Sequence, residues 1–208
     1  IAVADVDADG DLDVFVGGRA VTGHYPQASA SLLLINSSRD LTRAESALSN
    51  ALGIVNGAVF SDIDSDGYPE LIVATEWGPV RVFKNHEGNF AEMTDALGLA
   101  GLTGLWQGVA TGDFDGDGSP DIVATNWGLN SSLKPNVINP PRLHYNFSES
   151  TVPTSLILGE WDDSFSGYLP TQHLLSLFRG YPGLRGVFQT HRDFALAGVL
   201  KLVDYHPA

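Results

Sequence analysis

Asp5-Val-Asp7-Ala-Asp9-Gly10-Asp11-Leu-Asp13, Asp62-Ile-Asp64-Ser-Asp66-Gly67-Tyr-Pro-Glu70 and Asp113-Phe-Asp115-Gly-Asp117-Gly118-Ser-Pro-Asp121 are three copies of one pattern, D-x-D-x-D-G-x-x-[DE]. Each places carboxylates at its first, third, fifth and ninth positions, with glycine at the sixth. At about 4 Å and an effective dielectric near 20, each close pair of like charges costs roughly 4 kcal/mol. A chain that repeats this arrangement three times needs a cation inside it. Hard oxygen donors on a short, glycine-turned loop are the ligand set that calcium accepts.

The first aspartates fall at 5, 62 and 113, so the repeat recurs after 57 and 51 residues. Periods in this range point to propellers or solenoids. Ahead of the second and third loops lie the glycine-punctuated apolar stretches Ala51–Phe60 and Leu102–Ala110. Behind the loops come short apolar runs, Leu12–Val16, Glu70–Ala74 and Asp121–Ala124, which read as strands bounded by turn residues. Further strands are expected at Ser31–Ile35 and Val80–Phe83, the latter leading into a hairpin turn at Asn85–Phe90. The apolar residues run continuously or alternate instead of recurring every three or four, which argues against helices here. Leu41–Leu52 has room for a short helical turn. Each unit therefore reads as a strand, the acidic loop, a buried strand and one or two outer strands, a four-stranded blade.

An EF-hand would require a bidentate Glu at loop position 12 and flanking helices. Position 12 is Val16, Val73 and Ala124, and the flanks are strands. Thrombospondin-type calcium repeats require Cys, and the nonapeptide β-roll requires G-G-x-G-x-D; neither fits.

The loop between two strands at this spacing resembles the FG-GAP/VCBS repeat of integrin-α-like β-propellers. Val82–Ala100 matches that family's F-x-N-x-x-G-x-F-x-x-x-T-x-x-x-G-L linker. Asn126-Trp-Gly-Leu-Asn130 and the Pro-rich segment after it resemble bacterial members that carry an ASPIC/UnbV domain, the cartilage acidic protein-like group. The resemblance implies an all-β fold: a partial β-propeller of four-stranded blades with calcium loops, here followed by a short helical C-terminal segment. It also implies up to three structural Ca2+. One would take Asp5, Asp7, Asp9 and Asp13 with the Asp11 carbonyl, and a second Asp62, Asp64, Asp66 and Glu70 with the Tyr68 carbonyl. The third would take Asp113, Asp115, Asp117 and Asp121 with the Ser119 carbonyl.

Lys and Arg number 11 against 25 Asp and Glu, a formal charge of −14, and thirteen of the acids lie in the three loops. The acidity is local, and it argues against nucleic acids and anionic membranes as partners, both of which call for basic patches. Hydrophobic residues at 43% suffice for a packed core. With no Cys, disulfides, thiolate metal sites and Cys nucleophiles are all excluded. No apolar run reaches the ~18 residues that a transmembrane helix needs. Loops of this kind suit calcium-rich surroundings, so an extracellular, periplasmic or cell-surface location is expected. The chain opens on Ile1 almost directly at the first loop and reads as a fragment, its first blade incomplete at the N-terminus. A full propeller of this type has about seven blades, so the remaining blades of the full-length chain are expected partners for otherwise open edge strands.

Beyond the third loop the pattern decays. Asn146-Phe-Ser-Glu-Ser150-Thr-Val-Pro-Thr154 keeps the spacing of short polar residues without the carboxylates or the glycine. It reads as a blade that has lost its metal site, or as a plain loop unrelated to the repeat. The organisation expected is three repeat blades over 1–133, a degenerate fourth blade over 134–170 and a helical segment over 171–208. Lys134–Ser150, with Pro135, Pro140 and Pro141, is the best boundary. Gln172–Phe178 and Phe194–Val203 have helical spacing, and Thr190-His-Arg-Asp193 is a capping start.

Two functional classes remain. The first is a non-catalytic propeller segment for adhesion, ligand binding or scaffolding, with a protein or glycan ligand. The second is a carbohydrate-active enzyme or lectin-like module. Trp77 and Trp127, at near-equivalent places after the loops, are either blade-packing aromatics or a binding surface. Glu76, Glu160, Asp162 and Asp163 are spare acids, but no catalytic pair, nucleophile motif or phosphate loop stands out. The six histidines lack ligand spacing.

Overall fold

The computed structural model describes residues 1–49, 52–133, 138–146, 155–180, 182–188, 190–195 and 197–199. Residues 147–154, which hold nearly all of the expected degenerate loop, lie outside this set, as do 134–137 and 200–203. The chain divides into two compact units, 1–21 with 26–128, and 22–25 with 129–208.

In the first unit, β1 (Ala2–Ala4) enters the first acidic loop and β2 (Asp13–Val16) leaves it; β3 (Leu32–Ser37) and β4 (Asp40–Arg43) complete an antiparallel sheet in chain order. The second repeat builds the same blade from β5 (Ile54–Ser61), β6 (Glu70–Gly78), β7 (Val80–His86) and β8 (Asn89–Glu92). From the third come β9 (Gly104–Gly112) and β10 (Asp121–Asn126), paired across the third loop. The first two blades match the four-stranded expectation. Among the described residues the third repeat adds only these two strands to the unit. A 3-10 turn at Ala47–Ser49 falls where a helical turn was expected.

The continuous apolar run of β6 has a packing cause. Leu71 and Val73 join Val6, Phe15 and Leu33 of the first blade in one core. Ile72, from the opposite face, joins Val80 and Val82 in a second core, against which Trp106 and Val109 of β9 and Ile122 of β10 pack. A strand with neighbouring blades on both faces has no solvent side, so alternation disappears. Each fully buried Leu, Ile, Val or Phe contributes about 1.5–3 kcal/mol through burial. The glycines of the inner strands have a similar reason: a Cβ on Gly57 of β5 would stand 3.0 Å from the Gly108 Cα of β9. The inner strands approach backbone to backbone, which any side chain there would prevent. β9 also bonds the far end of β6, through Glu76 opposite Leu105 and Gly78 opposite Gly104.

The second unit holds an antiparallel meander of β11 (Arg142–Asn146), β12 (Ser155–Asp162) and β13 (Gly167–Pro170). Next come α1 (Leu174–Gly180) and α2 (His191–Ala195). Ile157 of β12 is buried with Leu174, Leu177, Leu184, Phe188 and Phe194. α1 starts two residues later than the spacing suggested. α2 starts at the expected cap: the Asp193 N–H donates to Thr190 Oγ1 at 3.1 Å, and that hydroxyl donates to Asp193 Oδ2 at 2.7 Å. The fold is all-β, a partial propeller with short helices.

Candidate metal centres

All three loops are built on one hydrogen-bond scaffold. The first aspartate follows the incoming strand and accepts the N–H groups of positions five and six on its two oxygens. In the first loop these are Asp9 to Asp5 Oδ1 at 3.1 Å and Gly10 to Asp5 Oδ2 at 2.9 Å. Asp62 repeats the pair with Asp66 and Gly67 at 3.1 and 2.9 Å, and Asp113 with Asp117 and Gly118 at 3.1 and 3.0 Å. The fifth carboxylate accepts the N–H of position seven: Asp9 from Asp11 at 2.8 Å, Asp66 from Tyr68 at 2.9 Å, Asp117 from Ser119 at 2.8 Å. These are Asx turns, the local bond that makes Asp a turn former. The ninth residue begins the outgoing strand and reaches back to the N–H of position two, from Asp13 to Val6 at 2.9 Å, Glu70 to Ile63 at 2.9 Å and Asp121 to Phe114 at 3.0 Å.

Two features of this scaffold escape the sequence pattern. The sixth-position glycines have φ of 93°, 93° and 91°, as their placement suggested, but position four is left-handed too: Ala8 at 62°, Ser65 at 61° and Gly116 at 82°. Alanine or serine there carries a backbone cost of about 1–2 kcal/mol that glycine avoids. The second feature is a cross-blade tie. Asn85, buried on β7, donates from Nδ2 to the Val6 carbonyl at 2.8 Å and accepts the Gly88 N–H on Oδ1 at 2.9 Å, so the second blade's hairpin grips the first blade's loop.

The carboxylates converge in each loop, but not in the same way. Asp5, Asp7 and Asp13 bring ligand oxygens within 4.8 Å of one another, and Asp113, Asp115 and Asp121 do the same from the equivalent positions. In the second loop the set is Asp62, Asp64 and Asp66, without the ninth residue. Among the described residues no histidine joins these groups. These oxygen-only, carboxylate-rich sets fit a hard divalent cation. The Asp11 side chain is turned away to accept the Ser38 N–H at 2.9 Å, which leaves its carbonyl as the donor expected of that residue.

Electrostatics separate the loops further. Burial, reinforced by the charges of Asp13, Asp9 and Asp5, pushes the Asp7 carboxyl above its usual range. In the second loop Lys84 of β7 reaches into the carboxylates, its Nζ 2.5 Å from Asp64 Oδ2, 2.6 Å from Asp66 Oδ2 and 3.1 Å from Glu70 Oε1. The hydrogen bond from Lys84, with that from the Tyr68 N–H, holds the Asp66 carboxyl below its usual range. Burial opposes the charge on Lys84, but its bonds to Asp64, Asp66 and Glu70 prevail and raise its pKa. The nearby Glu87 carboxylate raises that of Tyr68.

The remaining residues of interest are dispersed. Glu76 pairs with Arg19 at 3.7 Å. Trp77 sits at a register break of β6 with φ of 64°, and Trp127 is 52% exposed just after β10. Within the second unit Glu160, Trp161 and Asp162 of β12 line an open cleft of about 430 Å3 with Ser132, Leu133 and Thr171. Asp163 accepts the Trp161 indole N–H at 2.9 Å.

No curated protein matches the chain. The FG-GAP-like repeat matches it twice, over residues 5–73 and 62–124, which together cover more than half of its length. Each match opens on the first aspartate of one loop and runs through the next loop into the strand behind it. The chain belongs to the FG-GAP-like repeat family.

Proposed function

We propose that the chain is a non-catalytic, calcium-stabilised propeller segment of an exported protein, serving adhesion, ligand binding or scaffolding. The observation that carries this reading is the threefold scaffold: equivalent backbone N–H groups hold the first, fifth and ninth carboxylates of every loop, and three carboxylates of each loop bring oxygens within 4.8 Å of one another. Such convergence is unfavourable without a cation. In the first loop the donors would be Asp5, Asp7, Asp9 and Asp13 with the Asp11 carbonyl. The second offers Asp62, Asp64, Asp66 and Glu70 with the Tyr68 carbonyl, and the third Asp113, Asp115, Asp117 and Asp121 with the Ser119 carbonyl. Bound calcium would cancel carboxylate repulsion and lock the turn that joins the first two strands of a blade. That role is structural, and it agrees with export to a calcium-rich compartment. No helix is long and apolar enough to cross a membrane among the described residues.

Thermal unfolding tests the reading. At calcium about 100-fold above its dissociation constant each site adds about 2.7 kcal/mol. For a chain of this size even two of the three sites, once filled, correspond to a Tm shift of about 10 °C or more. EDTA should lower the melt by that amount and calcium should restore it, whereas an unchanged melt would sink the metal assignment.

The cleft lined by Glu160, Trp161 and Asp162 supports a second reading, a glycan-binding or carbohydrate-active surface, since it gathers two acidic residues and an aromatic one. Glycan-array binding that is lost in Trp161→Ala would favour it.

A further inference from the structure

We infer that the three acidic loops are not equivalent, and that Lys84 serves the second as a built-in cation in the place that calcium takes in the first and third. This inference rests on the calcium reading of those two loops.

Three observations converge on it. The first is geometric: one ammonium lies 2.5, 2.6 and 3.1 Å from carboxylates of positions three, five and nine, and its side chain is only 28% exposed. Among the described residues no Lys or Arg pairs with a carboxylate of the first or third loop.

The second concerns the ninth residue. Asp13 and Glu70 are both fully buried, and each gives one oxygen to the N–H of position two. The other oxygen of Asp13 accepts the Asn36 N–H at 2.8 Å. Among the described residues no backbone donor reaches Oε1 of Glu70, and its charge is met by Nζ instead. The ninth residue is Glu only in this loop, its Oε1 lies 3.1 Å from the ammonium, and the convergent set here contains position five where the other loops have position nine.

The third is register. β2 pairs with β3 through Val14 and Leu34, and β6 with β7 through Leu71 and Phe83, so the residue equivalent to Lys84 in the first blade is Ile35. An aliphatic side chain there leaves the first loop without an internal charge. Among the described residues the third repeat has no strand pairing with the outer edge of β10, and so nothing at that register.

A divalent ion entering the second loop must displace the ammonium or sit beside it, and like charges a few ångströms apart in a partly buried site repel strongly. The second loop should therefore bind calcium at least about 100-fold more weakly than the other two. Calcium binding to the whole 208-residue chain, followed by calorimetry and by metal content after dialysis, separates the possibilities. Wild type should bind two tight Ca2+, and Lys84→Met, which keeps the aliphatic stem but removes the charge, should bind three. Three tight ions in wild type would overturn the role of Lys84 and leave the calcium reading intact. So would an unchanged count of two in folded Lys84→Met. No binding at all would instead remove the calcium reading and this inference with it. If Lys84→Met does not fold, Ile35→Lys gives the converse measurement: the count should fall from two to one, and an unchanged count would contradict the inference.

Discussion

The first and second loops share a backbone scaffold almost bond for bond, yet they solve the problem of crowded carboxylates differently. In the first, burial and three neighbouring acids act on Asp7 together, and among the described residues no Lys or Arg pairs with them. In the second, a lysine from an outer strand lies among the acids. Scaffold and charge compensation are thus separable. The scaffold is local, set by Asx turns and left-handed positions within nine residues. Compensation is set by which residue the blade's third strand places over the loop.

The largest expected effect that tests this comparison lies at the ninth position. Asp13→Ala leaves two backbone N–H groups, of Val6 and Asn36, without their acceptor, whereas Glu70→Ala leaves only that of Ile63. At about 1–3 kcal/mol for each buried donor left unpaired, Asp13→Ala should cost about 4 kcal/mol and Glu70→Ala about half as much. Urea unfolding in EDTA, which keeps metal out of the comparison, reads both values. Equal losses would mean that the two buried carboxylates play the same part after all.

A smaller effect concerns the fourth position. Gly116→Ala places a Cβ on a left-handed residue and should destabilise by about 1 kcal/mol, while Ala8→Gly should stabilise by about 0.5 kcal/mol, part of the strain relief being offset by the freer unfolded chain. Denaturation midpoints of the two variants moving in the same direction would contradict a shared scaffold.

What could be read from sequence follows the same division. The loops, their bounding strands and the glycine at position six were legible because the forces that set them act within a few residues. The strand after each loop was found from its apolar run, and Thr190 was recognisable as a cap because its bond partner is three residues away. The left-handed fourth position was not legible, since Ala8 and Ser65 carry no turn signature. Lys84 stood in plain view in the Val82–Ala100 linker, but its role depends on Phe83 pairing with Leu71, a register that no local pattern states. Asn85 likewise reaches Val6 across 79 residues. The apolar run of β6, Leu71–Ala74, could be recognised as buried, but that its two faces serve two different cores follows only from the packing of the blades.

The account's central claim is that the loops take calcium unequally because one already holds a cation. The most direct measurement is a calcium titration followed residue by residue through backbone amide resonances, using the sixth-position glycines as reporters. The expected result is that Gly10 and Gly118 shift and saturate together at low calcium while Gly67 stays unmoved. Parallel shifts of all three would contradict the inequality, and no shift at any of them would contradict calcium binding itself.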